Sequence, residues 1–363
     1  MLPAPHSDRY SRHLQLPQFN ASVQAQLTAA RVLVIGAGGL GVPALQYLAG
    51  AGIGTLGILD GDHVSLSNLH RQVLYTTADV GQLKAIVAAQ KLRALNPEIE
   101  VIAFPEMLST ENALERIAAY DIVVDGTDNF AARYLINDAC VLLGKPFVYG
   151  AAHQYEGHVS VFNLGNGPTY RCLYPVPPAA GQIPDCNTGG VLGMVPGMIG
   201  IQQALEVVKL ITGIGQSLSG ALQVYDLLDA TQYRIALKAV PHHKTITALQ
   251  EQYELQVCDS PAADISVTQL LDWMHSGKAF QLLDVRNPEA FKMAHLSNAV
   301  NAPLASMDEG LPEFSADVPT VVYCQRGRTS LKAIEQLQQY HPAGIFVSLT
   351  GGMNAWNAQT TRL

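Results

Sequence analysis

Charge is scarce in this chain. Only 14% of its 363 residues are Asp, Glu, Lys or Arg, and the acids prevail to leave a net charge of −8. That balance offers no basic surface for a polyanion, so neither nucleic acid nor an anionic membrane is expected as a partner. Long apolar runs are missing too: none reaches the roughly 18 residues that would span a bilayer. The first stretch, MLPAPHSDRYSRHLQLPQF, has no basic start followed by an apolar core, and no secretory signal is expected. The five cysteines are irregularly spaced and make no disulfide framework. A cytoplasmic setting fits them, where an accessible thiol is more often reactive or metal-bound than bridged. Tandem repeats and low-complexity tracts are also absent.

What the chain does have is core material, with 48% hydrophobic residues and a length that exceeds most single cores. Between residues 31 and 150, short Val- and Ile-rich segments (RVLVIG, TLGILD, IEVIAF, DIVVDG, KPFVYG) alternate with helix-like runs such as VPALQYLAGAG and KAIVAAQKLRAL. The second run stops at Asn96-Pro97. Such alternation predicts a Rossmann-like, mostly parallel sheet with helices on both faces. From about residue 150 the texture changes. HVSVFNLGNGPTYRCLY and ALQVYDLLDATQYRIALK read as antiparallel strands, around a Pro- and Gly-rich loop PVPPAAGQIPDCNTGG and a helix MVPGMIGIQQALEVVKLIT closed by Gly213. Residues 241–264 lose periodicity and read as a linker. A second α/β pattern then starts afresh. The expected division is 1–240, a linker over 241–264, and a smaller α/β domain over 265–363.

Gly36, Gly38 and Gly41 form G-x-G-x-x-G after the first strand, with Gly39 added. Such a loop brings backbone N–H groups close to phosphate at a helix N-terminus. Asp60 ends the next strand, at the spacing that sets a carboxylate on a ribose hydroxyl. These features alone suit NAD, FAD or ATP equally. Arg71, Lys84, Asp128 and Asn129 separate them. A dinucleotide is held by the helix dipole and backbone, whereas a triphosphate favours Arg, Lys and a Mg²⁺-binding carboxylate.

GAGGLG, LDGDHVSLSNLHRQ, VGQLKA and GTDNFAARYLIND, with RYSRHLQLPQF near the start, resemble the MoeB/ThiF family, the prokaryotic relatives of ubiquitin-activating enzymes. The resemblance covers about residues 8 to 240. It implies that the chain adenylates the C-terminal glycine of a ubiquitin-fold sulfur carrier protein ending in Gly-Gly. It carries Gly39, Asp60, Ser67, Asn68, Arg71, Lys84, Asp128 and Asn129 onto the ATP site, with Asp128 as Mg²⁺ ligand. Arg12 would reach the ATP of a second subunit, which implies a homodimer. Many relatives hold a structural zinc on two C-x-x-C pairs. Here the first pair falls at Thr169 and Cys172 and the second near His243 and Ile246, so only Cys172 remains, with His242 and His243 nearby. Four N or S ligands are needed for a closed site, and no zinc is expected. Cys186, in GQIPDCNTGG, matches the family's loop cysteine, which can link covalently to the carrier. Cys140 reads as core and Cys258 as incidental.

In the second domain, YCQRGRTS places Cys324 at a strand-to-helix turn. Backbone N–H groups and the helix N-terminus should favour the thiolate there, with Arg326 and Arg328 adding positive charge. With LLDVRNPEAFKMAHLSNAVNAPL and LTGGMNAW, this loop resembles single-domain rhodaneses, which implies a sulfurtransferase whose cysteine carries a persulfide. Asp284 and Arg286 read as an internal ion pair that orients the loop. A related phosphatase signature, C-x5-R, fails because Ser330 stands where Arg is required. Thr329 takes the place of the Arg found in many thiosulfate-using members, which favours a protein persulfide, such as that of a cysteine desulfurase, as donor. Together the halves suggest carrier adenylation followed by sulfur transfer to a thiocarboxylate, for molybdopterin synthesis, with thiamine synthesis or another carrier as alternatives. An NAD-dependent oxidoreductase with a rhodanese tail and a non-catalytic sulfur-relay scaffold are the rivals from other classes.

Overall fold

The computed structural model describes residues 8–176, 190–253, 263–309, 318–327, 329–341 and 344–360. Two compact units divide the chain, Met1–Gln256 and Val257–Leu363.

In the first unit the strands are β1 (Arg31–Ile35), β2 (Thr55–Leu59), β3 (Glu100–Phe104), β4 (Ile122–Asp125), β5 (Phe147–His153), β6 (Glu156–Phe162), β7 (Ala221–Asp226) and β8 (Thr231–Ala236). They form one sheet in the order β3-β2-β1-β4-β5-β6-β7-β8. The pairings from β3 through β5 are parallel, and those from β5 to β8 are antiparallel. The main helices are α1 (Ala21–Ala29), α2 (Gly41–Ala51), α3 (Lys84–Leu95), α4 (Ala113–Ala118), α5 (Phe130–Leu143), α6 (Tyr170–Leu173) and α7 (Met194–Thr212). They bury apolar side chains against both faces of the sheet. One core gathers Leu45, Leu48, Val87, Leu92, Ile199 and Val207, and the other gathers Ile117, Tyr134, Ile136 and Tyr170. β1 lies between β2, which follows it, and β4, which begins the opposite direction of winding. The carboxyl ends of the strands at that switch point open a crevice, which is where ligands bind in such sheets.

Helix α7 is long and apolar enough to cross a membrane by length and composition. Here Val195, Ile199 and Val207 are core residues, and its Glu206 pairs with Lys209 and accepts from the Leu218 N–H at 2.9 Å. It reads as a core helix.

Two sequence expectations need correction. Residues 170–173 form a short helix rather than strand. The linker expected over 241–264 is too wide at both ends. Leu249 and Tyr253 pack against the first unit's core, and the Tyr253 hydroxyl donates to Asp138 at 2.8 Å. At its other end Ala263–Ile265 is already a strand, β9, of the second sheet.

That second sheet runs β11-β10-β12-β13-β9, with all described pairings parallel. Its members are β9, β10 (Gln281–Asp284), β11 (Ala299–Asn301), β12 (Thr320–Tyr323) and β13 (Phe346–Leu349). Helices α8 (Val267–Ser276), α9 (Pro288–Met293), α10 (Thr329–Tyr340) and α11 (Gly352–Thr360) accompany it.

Candidate functional site

At the switch point the glycine loop turns sharply. Gly36 has φ +93°, and a Cβ there would stand 2.7 Å from the Gly126 carbonyl oxygen; a Cβ on Gly41 would stand 1.8 Å from the Gly36 carbonyl. Glycine is therefore required at both places, to let the β1 and β4 loops approach and α2 start. Asp60 ties this loop down. One carboxylate oxygen accepts from the Ala37 N–H at 2.7 Å and the other from the Asp62 N–H at 2.8 Å. Burial pushes this carboxyl above its ordinary range, opposed by Lys84 and the two N–H groups. Tyr75 donates to the Ala37 carbonyl at 2.9 Å and closes the other side.

The cleft is lined by Gly36, Gly38, Gly39, Asp60, Asn68, Arg71, Lys84, Asp128 and Asn129, with apolar Ile35, Leu59, Met107 and Leu108. Lys84 is 6% exposed and holds Asp62 at 2.9 Å. Arg71 donates to the His70 ring nitrogen at 2.8 Å and to the Ser67 carbonyl at 3.3 Å. The segment before Asp128 is pinned from both sides. Asp125 accepts from the Thr127 N–H at 3.0 Å and hydroxyl at 2.7 Å, and Arg133 donates to the Thr127 carbonyl at 3.1 Å. Asn129 caps α5 by accepting from the Ala132 N–H at 2.9 Å. Asp128 itself is exposed at the cleft, and no hydrogen bond or ion pair to another described residue occupies its carboxylate. Asp128 shares the cleft lining with Lys84 and Arg71 and is the carboxylate there that could hold a Mg²⁺.

Several predicted residues stand elsewhere. Gly41 and Ser67 are not among the cleft's lining residues; Gly41 serves packing, and Ser67 is exposed with its hydroxyl 2.9 Å from Ser65. Arg12 is exposed on the N-terminal segment and donates to Gln15 at 3.3 Å, away from this chain's own cleft lining. Cys186 and Cys258 lie outside the described residues, as does Arg328. Sequence reading passed over Asp62, Gln72 and Arg133, which line the cleft. Each sits inside a quoted motif, but nothing in the motif marks it as facing a ligand. Gln72 is buried, and its side-chain oxygen has no hydrogen-bond partner among the described residues.

The segments where the family resemblance would put zinc ligands meet through protein contacts. Cys172 accepts from the Thr169 and Val240 N–H groups, both at 3.3 Å. No group of three or more His, Cys, Asp or Glu suited to a metal occurs among the described residues. Asp138 also joins the two segments. It takes a bidentate contact from Arg171 at 2.8 and 2.7 Å, and the Tyr253 hydroxyl as well. Cys140 is buried in the core, where burial pushes its thiol up.

In the second unit Cys324 follows β12 and is 3% exposed. Burial alone would raise its thiol, but the Ser330 N–H and hydroxyl and the Arg326 and Gly327 N–H groups outweigh it, and the pKa falls below the ordinary value. Asp284, fully buried, takes Arg286 at 2.6 Å, and Arg286 reaches Gln325 of the cysteine loop at 3.1 Å. The Met353 N–H donates to the Cys324 carbonyl at 2.9 Å, fixing the loop from the α11 side.

The ThiF family model matches residues 10–246, and the Rhodanese-like domain model matches residues 266–359. A probable adenylyltransferase/sulfurtransferase MoeZ of Mycobacterium tuberculosis is 43% identical over 366 residues, spanning 97% of this chain and 93% of that one. The adenylyltransferase and sulfurtransferase MOCS3 of Drosophila grimshawi is 41% identical over 378 residues, spanning 97% and 84%. A sulfur carrier protein adenylyltransferase of Thermus thermophilus is 51% identical over 239 residues, spanning 64% and 88%. Among solved structures, E. coli MccB with MccA-N7isoASN superposes with a TM-score of 0.59 at 23% identity, over 65% of this chain and 73% of that one, and so shares the fold. The chain belongs to the ThiF family and carries a rhodanese-like domain after its ThiF-type domain.

Proposed function

We propose that this chain adenylates the C-terminal glycine of a ubiquitin-fold sulfur carrier protein and then converts it to a thiocarboxylate with sulfur carried on Cys324. The observation that carries the reading is a glycine-loop cleft lined by the exposed carboxylate of Asp128 together with Lys84 and Arg71. That donor set suits a triphosphate better than a dinucleotide. Relatives along nearly the whole length bear both activities in their names.

The carrier's carboxylate oxygen bonds to the α-phosphorus, and the bond to the β-phosphate oxygen breaks to release pyrophosphate. Two anions must meet, so the chain's work is electrostatic. Lys84 and Arg71, with Arg12 from a second subunit of a homodimer, offset the charge that spreads over the phosphate oxygens. Mg²⁺ on Asp128 would neutralise further phosphate charge. Cys324 takes sulfur from a protein persulfide such as that of a cysteine desulfurase. The terminal persulfide sulfur then attacks the activated carbonyl, and AMP leaves. A second thiol, for which Cys186 is the candidate, attacks the Cys324 sulfur and frees the carrier thiocarboxylate. The resulting disulfide is reduced by a cellular thiol. The molybdopterin carrier in the cytoplasm is the substrate this reading favours.

The test is ATP–pyrophosphate exchange with purified carriers ending in Gly-Gly. Exchange that depends on one carrier is expected. ATP bound without exchange for any carrier would favour the scaffold reading.

A further inference from the structure

The sulfur of Cys324 is not served by its own loop alone. Its Sγ lies 3.7 Å from the hydroxyl oxygen of Ser330, in the first turn of α10. That hydroxyl lies 3.0 Å from the hydroxyl of Ser348, on the neighbouring strand β13. Both serines are buried, at 0% and 1% exposure. A hydroxyl has one proton to give. If Ser330 spends its proton on an anionic sulfur, its oxygen is left as an acceptor, and Ser348 is the buried donor in reach. A chain of two hydroxyls directed at one anion polarises in one sense and strengthens.

We propose that Ser348 is a positioning residue for Cys324: its hydroxyl holds the Ser330 hydroxyl in the orientation that donates to the sulfur anion. Ser348 belongs to no motif of the cysteine loop and lies on a different strand. The proposal rests on the reading of Cys324 as the sulfur-carrying residue.

Among the described residues, no charged group is hydrogen-bonded to the Ser330 or Ser348 hydroxyl. Arg326 is exposed on the loop. Among the described residues, the Asp284–Arg286 pair reaches the loop through Gln325. β13 (Phe346, Val347, Ser348, Leu349) carries no titratable side chain, and the first described α10 cation beyond the loop is exposed Lys332. From the α11 side, Met353 and Asn354 approach with neutral groups. The groups that lower the thiol's ionisation point are hydrogen-bond donors.

The experiment uses the full chain and reads the pH dependence of Cys324 alkylation by iodoacetamide, following the Cys324 peptide by mass spectrometry. Three variants are compared with the parent: Ser348→Ala, Ser348→Val and Ser348→Thr. Val and Thr have nearly the same shape, so any packing disturbance is shared and only the hydroxyl differs. The alanine and valine variants should titrate higher by about half a unit or more, giving roughly three-fold less thiolate at a fixed pH below the midpoint. The threonine variant should titrate like the parent. Alanine and valine profiles that overlay the parent's would overturn the proposal, as would a threonine profile that moves with valine's. The readout needs no carrier and no ATP. A parent protein that alkylates as expected but never accepts persulfide sulfur would therefore sink the functional reading and leave the relay standing.

Discussion

Asp125 is a buried acid beside the cleft. It is fully buried, and Arg133 lies 3.9 Å away as its counter-charge. Burial pushes its carboxyl up, and Arg133 and Thr127 pull it back down. A carboxyl raised in the folded state binds more protons there than in the unfolded chain, so its contribution falls as pH rises above the ordinary carboxylate range. Arg133→Met removes the counter-charge and should steepen that fall. The expected loss is about 3 kcal/mol near about pH 8, by analogy with other broken buried pairs. Near about pH 5, where Asp125 can take up a proton, the loss should be clearly smaller. Urea unfolding at the two pH values checks this, and a loss independent of pH would mean that the ion pair is not the cause.

Element by element, the helices with a clear apolar period and stop signal were legible and some joints were not. KAIVAAQKLRAL is a helix over the same residues, Lys84–Leu95, because its apolar spacing and the Asn96-Pro97 stop agree. Gly213 closes α7 with φ +70°, as its place after the apolar run implied. Helix α6 escaped because four residues are too few to show a period. The anchoring of 249–253 escaped because two isolated side chains, Leu249 and Tyr253, do the packing, and a pattern of one or two residues has no periodicity to read. Asp138 joins α5, α6 and the segment at Tyr253. Asp138→Ala should leave the Arg171 charge half-buried without its partner and lower stability by about 3 kcal/mol. Chelation with EDTA should leave the melting temperature of the parent unchanged. A Tm drop on chelation would bring a metal back into this joint.

For the whole molecule, adenylation and sulfur delivery are assigned to chemically separate residues in two compact units. Pyrophosphate exchange needs charge stabilisation in the cleft and no thiol at all, because the bond that forms is between a carboxylate oxygen and phosphorus. Persulfide loading needs a thiolate and no nucleotide. Cys324→Ala should therefore leave exchange at the parent level and abolish thiocarboxylate formation. Asp128→Ala should abolish exchange while Cys324 still accepts sulfur from a cysteine desulfurase. The two variants discriminate because each removes one activity and preserves the other as an internal control for folding. Retained thiocarboxylate formation in Cys324→Ala, with no free sulfide supplied, would show that sulfur reaches the carrier by another residue. Normal exchange in Asp128→Ala would show that adenylation does not need this carboxylate. Loss of both activities in either variant would point to the two units depending on each other, which the separate chemistries give no reason to expect.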